Sequence, residues 1–250
     1  MPGKLLSSFD VITPICHADL VINLAKLKTH SFMNLTCATK NLFGILPGMR
    51  KAEIHSLYTE YADFANAAID ISLSVKNQIS IVDGILALEG NGPNAGNPRN
   101  LGLVIASKNP FELDYVVTKI IGMDIEDSYI VNESIKRGLI DPSNISVIGE
   151  RIEDVSVTDF KFPDTIGKKK FRVGFAMVKY IKPYPVFNKD KCKLCKLCVE
   201  RCPRKVLYVK NGRVKLNKKE CIRCFCCHEH CSYNAIDIKH IINWNDSHKK

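Results

Sequence analysis

The spacing of cysteines near the carboxyl terminus constrains the fold of this chain more than any other feature. Nine of its 11 cysteines lie between Cys192 and Cys231. Eight of them form two copies of the pattern C-x2-C-x2-C-x3-C, which begin 29 residues apart, at positions 192 and 221. The first copy contains Cys192, Cys195, Cys198 and Cys202, and the second contains Cys221, Cys224, Cys227 and Cys231. A repeat of this kind indicates a duplicated set of metal ligands.

Each copy matches the run with which bacterial ferredoxins bind [4Fe-4S] clusters. In that arrangement three closely spaced thiolates hold one cluster, and the fourth cysteine binds the other cluster. The spacing therefore predicts two [4Fe-4S] clusters. One is assigned to Cys192, Cys195, Cys198 and Cys231, and the other to Cys202, Cys221, Cys224 and Cys227. Structural zinc is the alternative, because C-x2-C pairs also form zinc sites, but zinc does not account for two identical four-cysteine runs.

Three residues of the second run remain without a role as ligands. Cys226 aligns with Leu197 of the first copy, which favours a small buried apolar residue, with a redox-active side thiol as the alternative. His228 and His230 lie in the spacer before Cys231, and we expect them at the surface or behind the ligands.

The positive charge of the chain is concentrated around these cysteines. Residues 181–250 contain 17 basic and 6 acidic residues, whereas residues 1–180 contain 19 basic and 20 acidic ones. A basic surface fits an acidic protein, an anionic membrane or nucleic acid. An acidic redox protein, flavodoxin-like or ferredoxin-like, is the predicted partner, and nucleic acid is disfavoured because few aromatic side chains are placed to stack on bases. With no apolar run of spanning length and no secretory signal, the sequence predicts a cytoplasmic protein.

The first 150 residues alternate short apolar runs with amphipathic stretches, which predicts an α/β domain with a largely parallel sheet. Strands are expected at 19–28, 79–84, 101–107 and 145–149, and helices at 57–77, 110–122 and 128–138. Mixed charge and the sequence KPYP predict a linker at 151–187. Residues 188–250 are then expected to form a small α+β domain of the bacterial ferredoxin type, in which Asn211-Gly212 predicts a hairpin turn.

Charged residues follow two of the predicted strands at their carboxyl ends. Lys26, Lys28 and His30 have the period of two that places side chains on one side of a strand. Asp83 and Glu89 follow the next strand, and open α/β sheets bind ligands at this edge. We therefore predict Lys26, Lys28 and His30 as catalytic residues acting on a small anionic substrate. An ordinary solvated strand end is the alternative.

The stretches KLKTH, KNLFG and EGNGP resemble the iron-sulfur proteins grouped as domain of unknown function 362, several of which carry a C-terminal two-cluster ferredoxin module. The resemblance covers most of residues 10–150 and the tail. It implies an α/β domain and cluster binding without an established reaction. Positions that recur in this family fall on the three predicted catalytic residues and on the following residues, of which the first five are the predicted cofactor-binding residues: Lys40, Asn41, Glu89, Gly90, Gly92, Gly44, His55, Pro93 and Asp114.

Members of that family usually have a further α/β segment before the strand that leads to KLKTH. The resemblance thus implies an N-terminally shortened chain, either a compact variant or a fragment. Two functions are compatible with these observations. In one, the clusters pass low-potential electrons to a substrate or cofactor site in the α/β domain, which makes the protein an oxidoreductase of unknown substrate. In the other, the protein is an electron carrier without enzymatic activity, and its α/β domain only docks a redox partner.

Overall fold

The structure, a computed structural model, describes residues 3–165 and 183–239, here called the first and second units. The strands of the first unit are β1 (Val21–His30), β2 (Asn34–Thr36), β3 (Gln78–Glu89) and β4 (Asn97–Ser107). Its helices are α1 (Thr13–His17), α2 (Ala38–Asn41), α3 (Arg50–Leu57), α4 (Tyr61–Leu73), α5 (Pro110–Ile120), α6 (Tyr129–Lys136) and α7 (Ile152–Val155). Short 3₁₀ turns lie at Leu42–Ile45, Ile125–Asp127 and Pro142–Asn144.

The sheet of the first unit has the strand order β2-β1-β3-β4. β1 and β3 are parallel, whereas β2 is antiparallel to β1 and β4 is antiparallel to β3. The expectation of a largely parallel sheet is therefore not confirmed: the sheet is mixed. The physical reason is that the connections at 31–33 and 90–96 are too short for the crossover that a parallel pair needs.

Two other expected elements differ from the structure. The segment 145–149 pairs with no described strand and is irregular. The helix expected at 57–77 is shorter and corresponds to α4, Tyr61–Leu73, because the backbone at Glu60 is extended, with ψ at 143°; Leu57 instead ends α3. The helix expected at 110–122 is confirmed as α5: the Asn109 side chain accepts hydrogen bonds from two backbone amides of its first turn, and Gly122 ends it with a φ of 67°.

One face of the sheet is covered by helix, and the other is open. Leu113 and Val117 of α5 pack on Leu27 and Val82 of the sheet. On the opposite face Ile22, Leu24 and Val104 are 60%, 68% and 61% exposed. The open face is therefore apolar as well as solvent-exposed.

The second unit repeats its backbone as well as its cysteines. Its elements are β5 (Tyr184–Phe187), α8 (Leu197–Glu200), β6 (Leu207–Lys210), β7 (Arg213–Leu216), α9 (Cys226–Glu229) and β8 (Ile236–Lys239). The pairs β5 and β7, α8 and α9, and β6 and β8 start at 184 and 213, at 197 and 226, and at 207 and 236, which is the 29-residue period in each case. Strands pair between the copies, β5 with β8 and β6 with β7, so each copy completes a sheet of the other. The hairpin turn is confirmed, because Asn211 and Gly212 have φ of 53° and 65°.

Folded structure extends into both ends of the predicted linker. At its start, Phe160 is buried in the core between the sheet and α5, and at its end, β5 pairs with β8 of the second unit. The middle of the linker, at 166–182, and the end of the second domain, beyond Lys239, lie outside the described residues. The domain boundaries stay predictions. Within the two described units, no helix has both the length and the apolar character that crossing a bilayer requires.

Candidate functional site

The folded cysteine loops bring the predicted ligands into two neighbouring groups. Burial and the nearby thiolates of Cys231, Cys192 and Cys195 raise the pKa of Cys198 to about 11. Burial and the thiolates of Cys224, Cys221, Cys198 and Cys202 raise the pKa of Cys227 well above its ordinary value. The surroundings of Cys198 contain the members assigned to one cluster, and those of Cys227 contain the members assigned to the other. The side chain of Cys198 lies where the two groups meet.

This donor set fits iron-sulfur clusters. Crowded thiolates repel one another, and bound iron offsets that repulsion because the ligands bind metal in their deprotonated form. No three His, Cys, Asp or Glu side chains of the described ranges converge on a single point as one metal ion requires. The cysteines of a cubane cluster bind different irons, so they need not converge.

The backbone of both ligand loops has the same unusual turns. Leu194 and Lys196 flank Cys195 with φ of 51° and 63°, and Arg223 and Phe225 flank Cys224 with φ of 58° each. A left-handed conformation costs a residue other than glycine roughly 1–2 kcal/mol. Such conformations concentrate where a loop must enclose a ligand. The repeated turns therefore support a bound group inside each loop.

The second cysteine run also contacts the first unit. Phe225 is 2% exposed and joins the apolar core that contains Phe32, Phe43 and Phe64. His228 is buried, and its Nδ1 and Nε2 lie 2.6 Å from the carbonyl oxygen of Ile236 and 3.3 Å from that of Asn91. His228 thus lies between the two units.

The loop at 90–96 receives this contact and is itself held by three of the predicted cofactor-binding residues. Glu89 is buried and accepts a hydrogen bond from the backbone amide of Lys161, and the amide of Gly90 donates to the Lys161 carbonyl. Gly92 lies so close to β1 that an added Cβ would be 2.1 Å from the Thr29 carbonyl oxygen. The side-chain amide of Asn94 donates to the Glu229 carbonyl. The contacts of Glu89, Gly90 and Gly92 therefore position a docking loop.

A cleft of about 290 Å³ lies where the two units meet. Among the residues of the first unit that line it are Lys40, Asn41, Lys51 and His55, and those of the second unit are Arg201, Cys226, Glu229 and His230. Cys226 is the neighbour of the predicted ligand Cys227 in the chain, and hydrogen bonding from Cys226 lowers the pKa of Cys224. The cleft is therefore bordered by a loop of predicted cluster ligands on one side and by the α/β domain on the other.

His30 and Glu229 face each other at this junction. His30 is 1% exposed, and its Nε2 lies 3.0 Å from Oε1 of Glu229. Its Nδ1 accepts hydrogen bonds from the backbone amides of Phe32 and Met33, at 3.1 and 3.2 Å. A ring nitrogen that accepts carries no proton, so the neutral imidazole carries its proton on Nε2, toward the carboxylate.

The charges around this pair are consistent with that protonation state. Burial, followed by the charge of Lys40, lowers the pKa of His30. Burial alone would raise the pKa of Glu229, but His30, Lys40 and His55 beside it lower that pKa. We therefore treat His30 as neutral and Glu229 as ionised.

His55 and Lys40 complete the wall that the first unit contributes to the cleft. The ring of His55 stacks on Phe64 with centroids 4.4 Å apart, and burial lowers the pKa of His55 to about 3. Its buried Nδ1 has no hydrogen-bond partner within the two described units. Burial lowers the pKa of Lys40, and the charges of Lys28 and Lys51 lower it further. The wall of the cleft thus combines two lysines, Lys40 and Lys51, with a buried imidazole.

The predicted catalytic residues do not all reach the cleft. His30 lies at the junction, and Lys28 is close enough to affect Lys40 electrostatically. Lys26 instead pairs with Asp83 at 2.7 Å on the open face of the sheet. Lys26 and His30 are four residue steps apart along the strand, a span of roughly 13 Å. Two side chains on the same side of the strand therefore need not belong to the same site. Asn41 lines the cleft but donates its amide to Asn23 and to the Leu24 carbonyl, which favours a structural role.

Arg201, Glu229 and Lys51 line the cleft without having been predicted as site residues. Glu229 occupies the position 29 residues after Glu200 in the repeat, so nothing local distinguishes it as a cleft residue. Only docking of the second unit places it beside His30.

Comparison with known proteins assigns both units. Residues 1–119 match the family described as domain of unknown function DUF362, and residues 184–232 match the 4Fe-4S dicluster domain. A thylakoid-associated protein of Synechocystis sp. is 44% identical over 108 residues, which are 43% of this chain and 34% of the relative. Subunit VorC of the ketoisovalerate oxidoreductase of Methanothermobacter marburgensis is 57% identical over 30 residues, which are 12% of this chain and 38% of that subunit. The matched segments of this chain thus cover only about a third of the length of each relative. It contains a DUF362 domain followed by a 4Fe-4S dicluster domain, which confirms the resemblance noted in the sequence.

Proposed function

We propose that this protein binds two [4Fe-4S] clusters and passes single electrons from them to a small anionic molecule in the cleft between its units. The dicluster match and the similarity to an oxidoreductase subunit support iron-sulfur electron transfer. The observation that carries the finer proposal is the position of Cys226, Glu229 and His230. They belong to the second cysteine run and also line the cleft. A molecule in the cleft would therefore lie against a cluster-binding loop.

The clusters would be held by the two groups of thiolates and would supply electrons at low potential. The protein's own residues give the cleft its chemistry. Lys40 and Lys51 supply positive charge, which favours a ligand with a carboxylate or phosphate group. The ring of His30 is fixed by two backbone amides, so its Nε2 is held 3.0 Å from Oε1 of Glu229. His55 contributes a buried imidazole to the wall of the cleft.

Cluster content is tested by anaerobic purification, counting of iron and acid-labile sulfide, and EPR of the reduced protein. We expect about eight irons per chain and two interacting EPR signals. The Cys227→Ser variant should lose about half of the iron. Cys226→Ser is the matched control in the neighbouring position and should retain all of it. Stoichiometric zinc without an EPR signal would overturn the proposal.

The alternative function is that of a carrier whose α/β domain only docks a redox partner. The exposed apolar face around Ile22, Leu24 and Val104 favours this alternative. The two functions differ in whether the cleft binds a ligand. Succinate and inorganic phosphate, as probes of the two common anionic groups, should bind the cluster-loaded protein and perturb its EPR signal. Lys40→Gln should weaken this binding about tenfold. Lys119→Gln, which changes an exposed lysine of α5, should leave the binding unchanged. Absence of binding by both anions supports the carrier.

A further inference from the structure

Exposed cationic side chains lie within the loop of the first cysteine run and at the hollow beside it. They are Lys189, Lys191, Lys193, Lys196, Arg213 and Lys215, here called the cationic collar. None of the six forms a salt bridge with another residue of the described ranges. Asp190 is the one acidic residue between positions 188 and 196. The charge of the collar is therefore largely uncompensated.

In the sequence, two members of the collar, Lys193 and Lys196, lie on either side of the most accessible predicted ligand, Cys195. Cys195 is exposed, whereas the other seven predicted ligands are buried or half-buried. A hollow of about 250 Å³ lies beside it, lined by Lys189, Cys192, Leu194, Arg213 and Lys215 among others. Leu194 is 36% exposed and provides an apolar contact among these charges. An apolar centre with a charged rim is the usual composition of a protein-docking surface.

The two cysteine groups thus differ in what they face. Cys195 of the first group is open to solvent and close in the chain to members of the collar. Cys202, Cys224 and Cys227 of the second group are buried, and Cys226 beside them lines the cleft. The first group is accessible to another protein, and the second is adjacent to the cleft.

We propose that the cationic collar is the docking site of an acidic one-electron carrier protein, which delivers electrons at Cys195. This inference rests on the proposed function, because it assigns the entry point of the electrons that the cleft receives. The carrier is oxidised by one electron and the cluster held by Cys192, Cys195, Cys198 and Cys231 is reduced by one. No bond forms or breaks and no proton is transferred. Complementary charge would accelerate the encounter in a salt-dependent way.

An anionic lipid surface is the rival occupant, and one relative is thylakoid-associated. The arrangement of the collar favours a protein, because Lys189, Arg213 and Lys215 line a concave hollow together with Leu194, the neighbour of the exposed Cys195 in the chain. A lipid surface has no need of such a hollow, since it attracts cations wherever they are close to it.

The test measures binding of an acidic flavodoxin in its hydroquinone form to the cluster-loaded full chain, by anaerobic calorimetry at low and high salt. The collar variant is Lys193→Glu with Lys196→Glu. The matched control is Lys76→Glu with Lys108→Glu, which changes the net charge equally at exposed positions of the first unit. We expect the collar variant to bind at least about tenfold more weakly at low salt, an effect that high salt removes, and the control to differ little. Iron content and EPR spectra should be the same in all three proteins.

Three outcomes would overturn the inference. Equal binding by the two variants removes the collar as the site. Failure of wild type to bind flavodoxin does the same when the clusters are present. Binding of wild type to anionic phosphatidylglycerol vesicles without binding to flavodoxin assigns the collar to a membrane. If flavodoxin binds at the collar but iron is absent, the proposed function fails while the docking site stands.

Discussion

At the scale of single residues, the molecule keeps two carboxylates ionised although both are shielded from solvent. Glu229 does so beside His30 and Lys40 at the junction of the units. Asp70 does so in the first unit, where it accepts hydrogen bonds from the backbone amides of Lys4, Leu5 and Leu6 and pairs with Arg137 at 2.7 Å. In both places fixed donors and cations outweigh the cost of burying the charge.

The Asp70 site predicts a specific loss of stability. Burial alone would raise the pKa of Asp70, but the three amides and Arg137 lower it. Because the pKa of Asp70 is lower in the folded state, its ionisation stabilises the fold at pH values above the ordinary pKa of an aspartate. This stabilisation is lost as the pH falls through the pKa of the folded state. Asp70→Asn should reduce the free energy of unfolding at neutral pH by about 3 kcal/mol, because Arg137 is left without its partner. Urea denaturation measures this.

Asp10→Asn is the control, since Asp10 pairs with Arg50 at the surface. Its free energy of unfolding should change by less than about 1 kcal/mol. The difference between wild type and Asp70→Asn should shrink under acidic conditions. A pH-independent difference would contradict the role of ionisation.

Among the elements of the molecule, the loop between β3 and β4 is one of the parts of the DUF362 domain that contact the dicluster domain. Asn91 and Asn94 contact His228 and Glu229, and the amide and side chain of Ser31 both donate to the Gly92 carbonyl. The loop is thus fixed to the end of β1 before it meets α9. Its sequence, GNGPNAG, reflects close packing of backbone on backbone.

Gly92→Ala tests this packing. The added Cβ would lie 2.1 Å from the Thr29 carbonyl oxygen, so the loop must move. We expect a loss of about 2 kcal/mol in the free energy of unfolding and faster hydrogen exchange at Ser31. Gly44→Ala is the matched control, because an added Cβ there meets nothing within 4 Å. Equal stability of the two variants would contradict the close approach.

At the scale of the whole molecule, the two units share apolar core. Phe225 stands between the predicted ligands Cys224 and Cys227 in sequence, yet its ring belongs to the core around Phe64. The ligand loop is therefore anchored in the α/β domain. This anchoring keeps the second cysteine group beside the cleft.

Phe225→Ala should accordingly destabilise the first unit although the residue belongs to the second. Loss of a buried phenylalanine costs about 3–5 kcal/mol. Hydrogen exchange of α4, followed by mass spectrometry, should increase markedly. Leu194→Ala, a truncation of an exposed apolar residue in the loop of the first run, is the control and should leave α4 unchanged. Unchanged exchange in Phe225→Ala would show that the units fold independently.

Features that depend on local spacing could be predicted from the sequence alone: the ferredoxin-like cysteine runs, the hairpin at Asn211-Gly212, α5 with its caps, and a first domain followed by a cysteine-rich one. These features depend on residues close together in the chain, whose pattern specifies the local backbone. The sequence predicted His30 as a candidate but also included Lys26, because a period of two indicates a side of a strand without indicating where a site ends. Lys40 and His55 were indicated only by the family resemblance.

Which residues meet at the cleft depends on long-range packing and could not be predicted from local patterns. The mixed sheet follows from short connections, and the partnership of His30 with Glu229 follows from the docking of distant segments. In sequence, Glu229 resembles its repeat partner Glu200, and Cys226 has only Leu197 for comparison. Their position against another domain depends on long-range packing of Phe225 and His228, for which neither periodicity nor local propensity carries a signal.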